Sequence, residues 1–237
     1  MRYVIGDIHG CYEQYMELLR AIDLQDEDEL YVLGDAMDRG PEPVKVLQDI
    51  MKRQNAHYIL GNHDFIMYSV MKKLMVEITD ENVDSHLTVE DILDYRLWMQ
   101  DGGESTAEQF RALGKDERWD ILDYLADAPL YEVLEHDGKK YILVHGGLGN
   151  FSPDKELEDY ELHELLEERM DYTKRYYPDK KVHLVTGHTP TVYIEGWNKM
   201  EVYIGNGHIA LDCACVSGGK LAAFCIETEE VFYVNGR

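Results

Sequence analysis

Three times in its first 64 residues the chain runs from a short apolar stretch into glycine and then directly into carboxylate, amide and imidazole side chains. Tyr3-Val4-Ile5 enters Gly6-Asp7-Ile8-His9-Gly10; Leu30-Tyr31-Val32-Leu33 enters Gly34-Asp35-Ala36-Met37-Asp38-Arg39-Gly40; and His57-Tyr58-Ile59-Leu60 enters Gly61-Asn62-His63-Asp64. Each polar cluster is followed by an amphipathic stretch. Residues 12–22 place Tyr15, Leu18, Leu19 and Ile22 on one helical face, and Pro41, at an expected first helical position, precedes Val44, Leu47 and Met51. Strands alternating with helices imply an α/β sheet, and such sheets gather ligands beyond the carboxyl ends of their strands. The three clusters are therefore expected to meet in space.

Further along, residues 71–128 change to acidic helical segments, with helices expected at 89–99 and 117–125 and a turn at Asp101-Gly102-Gly103. A helical insertion over the site and an ordinary peripheral packing layer both fit that pattern. Strands are expected at 130–135 and 140–145 around the hairpin signal Asp137-Gly138. An acidic helical stretch is expected at 159–172, and a strand at 181–186 entering Gly187-His188-Thr189-Pro190. Residues 200–203, 208–212, 220–226 and 231–234 read as β segments. No internal repeat or low-complexity linker interrupts the 237 residues, so a single domain over 1–237 is expected, with a helical insertion at about 71–128.

Charge narrows the partners. The chain has 23 Lys and Arg against 47 Asp and Glu, a formal charge of −24, which leaves no basic footprint for nucleic acid or an anionic membrane. Its 45% hydrophobic content is that of a folded globular protein. Cys11, Cys213, Cys215 and Cys225 are too few and too unevenly spaced for a disulfide framework. Without a signal-peptide pattern or a bilayer-length apolar run, the expectation is a soluble cytoplasmic protein.

The polar residues at the expected strand ends are Asp7, His9, Asp35, Asn62, His145 and His188, with Asp38, Arg39 and His63 close behind. Oxygen and imidazole donors of this kind suit divalent manganese, iron or zinc. The ordered blocks GDIHG, GDAMDRG, GNHD, HGG and GHTP resemble the calcineurin-like metallophosphoesterases, and within them the bacterial and bacteriophage phosphoprotein phosphatases. Any one block is a weak signal; five in order from Gly6 to Pro190 are specific. The resemblance implies a four-layer α/β/β/α sandwich of mixed sheets flanked by helices. It implies two divalent metal ions, manganese first and iron or zinc otherwise, with Asp7 and His9 on the first, Asp35 bridging, and Asn62, His145 and His188 on the second. Arg39 would hold phosphate oxygens, and His63, oriented by Asp38, would protonate the leaving group while a solvent-derived hydroxide attacks phosphorus in line.

Chemistry supports each assignment. A metal pair about 3.5–4 Å apart activates water and stabilises both attacking and leaving oxygens. Imidazole titrates near neutral pH, and a carboxylate partner fixes its tautomer. A guanidinium fork matches two phosphate oxygens. The resemblance also implies a second phosphate-binding arginine between HGG and GHTP, for which Arg169, at an expected helix end, is chosen and Arg175 is the fallback.

Two details bear on the substrate. Asp64 follows Asn62-His63, as in bacterial diadenosine tetraphosphate hydrolases, where eukaryotic protein phosphatases have Glu; Asp38-Arg39-Gly40 follows the protein-phosphatase form. The resemblance therefore points first to a metal-dependent phosphatase of phosphomonoesters, phosphoserine or phosphothreonine in protein. A bis(5'-nucleosyl)-tetraphosphatase is the alternative, and a catalytically silent scaffold is the alternative outside enzymes. Substrate would be a phosphorylated protein, a peptide or a small phosphoester. His57, His86, His136, His163, His183 and His208 match no block and are expected at or near the surface. Met67, Met71 and Met75 are expected in the core, and Cys213 and Cys215 on one face of a strand.

Overall fold

The alternating strands and helices of the first third build one half of the molecule in this computed structural model, which describes residues 1–77, 79 and 87–236. β1 (Arg2–Ile5) is followed by helix α1 (Tyr12–Ala21), β2 (Glu29–Val32), α2 (Pro43–Lys52), β3 (Ala56–Tyr58) and α3 (Asn62–Met75). β1 pairs with β2 and β2 with β3, all parallel, so three carboxyl ends point the same way. Next come α4 (Val89–Trp98), a π turn (Met99–Gly103), α5 (Glu104–Ala112) and α6 (Lys115–Asp127). The second half holds β4 (Tyr131–His136), β5 (Lys139–Val144), the short α7 (Leu162–Leu166), β6 (Val182–Thr186), β7 (Tyr203–Gly205) and β8 (His208–Ala210). Finally, β9 (Lys220–Cys225) and β10 (Val231–Asn235) return to the first half. The sheets run β10-β9-β1-β2-β3 and β4-β5-β6-β8-β7, both mixed.

Strand periodicity explains the layering. Tyr3, Ile5, Leu30 and Val32 face the helices, while Val4, Tyr31 and Leu33, one residue out of phase, join Tyr141, Leu143, Val185 and Phe224 between the sheets. Both faces are covered, so these strands read as nearly continuous apolar runs. The outer face of the second sheet is covered by α7 and irregular chain carrying Tyr160, Met170 and Tyr172. Phe224 is 1% exposed between the sheets. Phe224→Ala is expected to cost ~3–5 kcal/mol, because lost burial and a residual cavity add. Denaturant midpoints measure this, and a loss under about 1 kcal/mol would mean that the sheets close over the gap.

Several expected elements shift. Asp137 and Gly138 do form a tight hairpin turn, with φ of 46° and 71° between β4 and β5. Pro43, not Pro41, opens α2. The helix expected over 159–172 contracts to α7 and a 3₁₀ turn at Leu157–Asp159. Its continuation is pre-empted because the carbonyls of Leu165 and Glu164 accept the backbone N–H groups of Gly146 and Gly149, at 2.8 and 2.9 Å. Arg169 therefore lies in irregular chain rather than at a helix end. The strand expected at 200–203 begins only at Tyr203, and β8 stops at Ala210. Cys213 and Cys215 are buried but not in a strand, since Ala214 is left-handed and a 3₁₀ turn starts at Cys215. Met67 and Met71 are buried and Met75 packs against the same core. No helix among the described residues is long and apolar enough to cross a membrane.

Candidate active site

The strand-end loops converge through backbone hydrogen bonds as well as side chains. His9 N–H donates to the Asp35 carbonyl at 2.8 Å, and Gly10 N–H to that of Ala36 at 2.9 Å, tying the loop after β1 to the loop after β2. Asp64 ties in the third. Fully buried on the first turn of α3, its carboxylate accepts from Asp35 N–H at 2.8 Å, Gly61 N–H at 3.0 Å and the Tyr58 hydroxyl at 2.8 Å. The loops fit only at close range: Gly34, at φ 84°, lies against the backbone of Gly61, where a β-carbon has no room. His9, Asp35, Asp38, Arg39 and His188 all have φ between 45° and 66°. Left-handed conformations cost about 1–3 kcal/mol each in non-glycine residues and persist where surrounding bonds over-determine them.

Asp35 lies at the centre of the side-chain cluster. Its Oδ2 is 3.6 Å from His9 Nε2 and 3.5 Å from His145 Nε2, and all three residues are buried. Potential ligand atoms of Asp7, Asp35 and His145 lie within 4.8 Å of one another, as do those of His9, Asp35 and His63. His9 Nδ1 bonds the Met37 carbonyl at 2.8 Å and His145 Nδ1 bonds that of Leu33 at 2.5 Å. Those carbonyls can only accept, so both rings carry hydrogen on Nδ1 and turn an Nε2 lone pair toward Asp35. Asn62 Oδ1 lies 2.9 Å from both His145 Nε2 and His188 Nδ1. An amide oxygen facing an imidazole lone pair brings two acceptors together, which a cation between them resolves.

The electrostatics point the same way. Burial, then the neighbouring Asp212, raise the Asp7 carboxyl well above the usual carboxylate range; burial and Asp7 do the same to Asp35. Burial holds His9 and His145 well below the usual imidazole range, and burial and Arg169 bring His188 down to about 4. The six residues expected as metal ligands thus form one donor set, buried except for the half-buried Asn62 and His188, in which neutral imidazoles turn lone pairs toward carboxyls that are costly to ionise without a cation. This chemistry fits divalent cations.

Beside it, His63 is 2% exposed and its Nδ1 pairs with Asp38 Oδ2 at 2.9 Å. Asp38 is fully buried and further fixed by Trp98 Nε1–H at 2.9 Å and the Thr106 hydroxyl at 2.7 Å. His63 Nε2 faces Arg39 Nη2 at 2.6 Å, and Arg39 Nη1 donates to His9 Nε2 at 2.9 Å. His63 shares one of the two donor clusters, yet among the described residues its ring makes no ion-pair contact with Asp35, as the His9 ring does. With Nδ1 turned to Asp38, its Nε2 is the ring nitrogen that faces Arg39 and the open site.

The helices beyond α3 contribute directly, since Trp98 ends α4 and Thr106 lies in α5. Neither was identifiable from sequence, although both flank the Asp101-Gly102-Gly103 turn. Asp212, buried beside Asp7 with its carboxyl raised to about 6 by burial, was missed as well, because it follows β8 without a glycine-rich block. Arg169 reaches the site, with Nη1 3.4 Å from the hydroxyl of Thr189 next to His188. Arg175 does not: its guanidinium faces the carbonyls of Asp179 and Val182. Of the unmatched histidines, His163 is exposed and His57, His136 and His183 are half-buried. His208 is buried beside Tyr172 and Tyr176, contrary to expectation, because β8 is an interior strand; His86 lies outside the described residues.

The calcineurin-like phosphoesterase family model matches residues 2–211. A bis(5'-nucleosyl)-tetraphosphatase PrpE (asymmetrical) of Geobacillus sp. (strain WCH70) is 29% identical over 93% of this chain and 88% of its own length. A symmetrical bis(5'-nucleosyl)-tetraphosphatase of Buchnera aphidicola subsp. Schizaphis graminum is 26% identical over 98% of this chain and 96% of its own. A crystal structure provisionally described as a diadenosine tetraphosphatase superposes with a TM-score of 0.66 at 22% identity, covering all of this chain and 93% of that one, a likeness of fold. With five blocks in order, a mostly buried donor set at the strand ends and a family match over most of its length, the chain belongs to the calcineurin-like phosphoesterases, metal-dependent hydrolases of phosphate esters.

Proposed function

We propose that this chain hydrolyses dinucleoside polyphosphates, with Asp7, His9, Asp35, Asn62, His145 and His188 holding two divalent cations. The observation that carries this reading is the full-length similarity to relatives named for that reaction, which favours it over the phosphoprotein expectation. The surroundings of the site support it. A cavity of about 580 Å³ between α3 and α4, walled by Phe65, Tyr95 and Trp98, adjoins the Arg39 side through Asp101. A second, of about 470 Å³, adjoins Arg169 and includes Tyr172, Thr189 and the exposed Tyr193. Aromatic-walled recesses flanking a phosphate site suit a substrate with a base at each end.

In this reading Arg39 and Arg169 grip phosphate oxygens from two sides. Bound at the donor set, the metal pair supplies the Lewis acidity that activates water and offsets phosphate charge. Asp38, held by Trp98 and Thr106, keeps the hydrogen of a neutral His63 on Nδ1, leaving Nε2 to take up a proton and deliver it to the departing oxygen.

The test is a comparison of initial rates for the manganese form on diadenosine tetraphosphate, phosphopeptides and mononucleotides. Diadenosine tetraphosphate should have the highest kcat/KM, with products resolved as two ADP or as AMP plus ATP. A phosphopeptide turned over faster would overturn the reading in favour of a protein phosphatase. Arg169→Ala is expected to lower kcat/KM by about 10–100-fold, as lost charge-assisted bonds to phosphate do. Arg175→Ala should stay within about twofold of the parent, being outside the site; equal losses in both variants would remove Arg169 from phosphate binding.

A further inference from the structure

Asp101 places an anion where the site must receive one. Its carboxylate lies 3.5 Å from Arg39 Nη2 through Oδ1 and 3.6 Å from His63 Nε2 through Oδ2, and the side chain is 60% exposed. The π turn that carries it is fixed to Arg39. Gly102, at φ 104°, accepts Arg39 N–H on its carbonyl at 2.8 Å, and a β-carbon there would meet Arg39 Cγ at 2.7 Å. Backbone contacts thus hold the turn that carries Asp101 beside Arg39, and the carboxylate meets the guanidinium on the exposed side of the site. The ligand set needs no such acid, and the Asp38–His63 pair already has its own carboxylate.

An anion fixed beside a phosphate-gripping arginine repels the phosphoryl group in proportion to its charge. A terminal phosphoryl group of a monoester carries close to two negative charges at neutral pH; an internal phosphoryl group of a polyphosphate, or a diester, carries one. We propose that Asp101 is a charge filter that disfavours terminal phosphomonoesters and directs hydrolysis to singly charged, internal phosphorus. This deepens the dinucleoside polyphosphate reading and rests on Arg39 as a phosphate ligand.

The test pairs p-nitrophenyl phosphate with bis(p-nitrophenyl) phosphate, which share a leaving group and differ in phosphoryl charge. Both are assayed with the manganese forms of the parent, Asp101→Asn and Asp101→Glu. For Asp101→Asn the monoester-to-diester ratio of kcat/KM should rise about fivefold, the weight of one unit charge near 4 Å in water. Calorimetric binding of inorganic phosphate should tighten by a similar factor, and Asp101→Glu should keep the parent values. A ratio within twofold of the parent for Asp101→Asn, or equal losses on both esters in both variants, would overturn the filter. Since neither ester is a nucleotide, failure of the tetraphosphatase reading would appear in the diadenosine tetraphosphate assay and not here.

Discussion

His63→Asn is expected to lower turnover of an alkyl phosphomonoester by about 10²–10⁴-fold while the protein keeps its metal, the usual worth of a positioned proton donor. The loss should shrink as the leaving group improves, because a nitrophenolate or a nucleoside phosphate departs with less need of a proton. Geometry separates the two parts of this prediction. His63 is anchored by Nδ1 to Asp38 at 2.9 Å, and the Asp35 Oδ1 that accepts a bond at 3.0 Å takes it from the His63 backbone, which the substitution leaves in place. Asn keeps a polar side chain in the pocket without imidazole's proton chemistry. Metal content by atomic absorption and rates across a leaving-group series provide the check. Undiminished turnover on the alkyl ester would take His63 out of the mechanism, and loss of one metal would make it a ligand instead.

How legible this site was depended on where each residue sits relative to a strand end. Asp7, His9, Asp35, Asn62, His145 and His188 follow buried apolar runs, so a local pattern gives their place, and parallel pairing brings their loops together. Pro43 and the truncated α7 were not legible, because the first depends on how the Asp38–Gly40 loop packs against Gly10 and the second on which distant amides claim the carbonyls of Glu164 and Leu165. Trp98, Thr106 and Asp101 act at a distance of 60 residues or more from Asp38 and Arg39 in sequence, and only the docking of α4 and α5 assembles them. Asp64 illustrates a second limit. Its type distinguished two groups of relatives on sequence, yet its position shows a buried clamp that ties the loops after β2 and β3 to Tyr58, so its identity speaks first to packing and only indirectly to substrate.

Asp35→Asn should act with opposite sign on the metal-free and metal-loaded protein. Asp35 is 2% exposed, with Asp7 and Asp64 as its close acidic neighbours and neutral imidazoles facing Oδ2. Without a cation, burial and Asp7 oppose ionisation of that carboxyl, and a buried polar group lacking a full partner costs about 1–3 kcal/mol. The isosteric amide keeps Oδ1 for the His63 N–H and removes the charge. Chelator-treated Asp35→Asn should therefore unfold at a higher temperature than chelator-treated parent, by about 2–4 °C per kcal/mol for a chain of this size. With manganese the order should reverse. The parent gains stability by binding metal to the folded state only, whereas the variant has lost the carboxylate proposed to bridge the two cations and should gain little. Turnover should fall with metal content. Calorimetric scans with and without manganese measure both signs at once, and a variant that matched the parent in metal stoichiometry and in metal-induced stabilisation would show that Asp35 does not bridge.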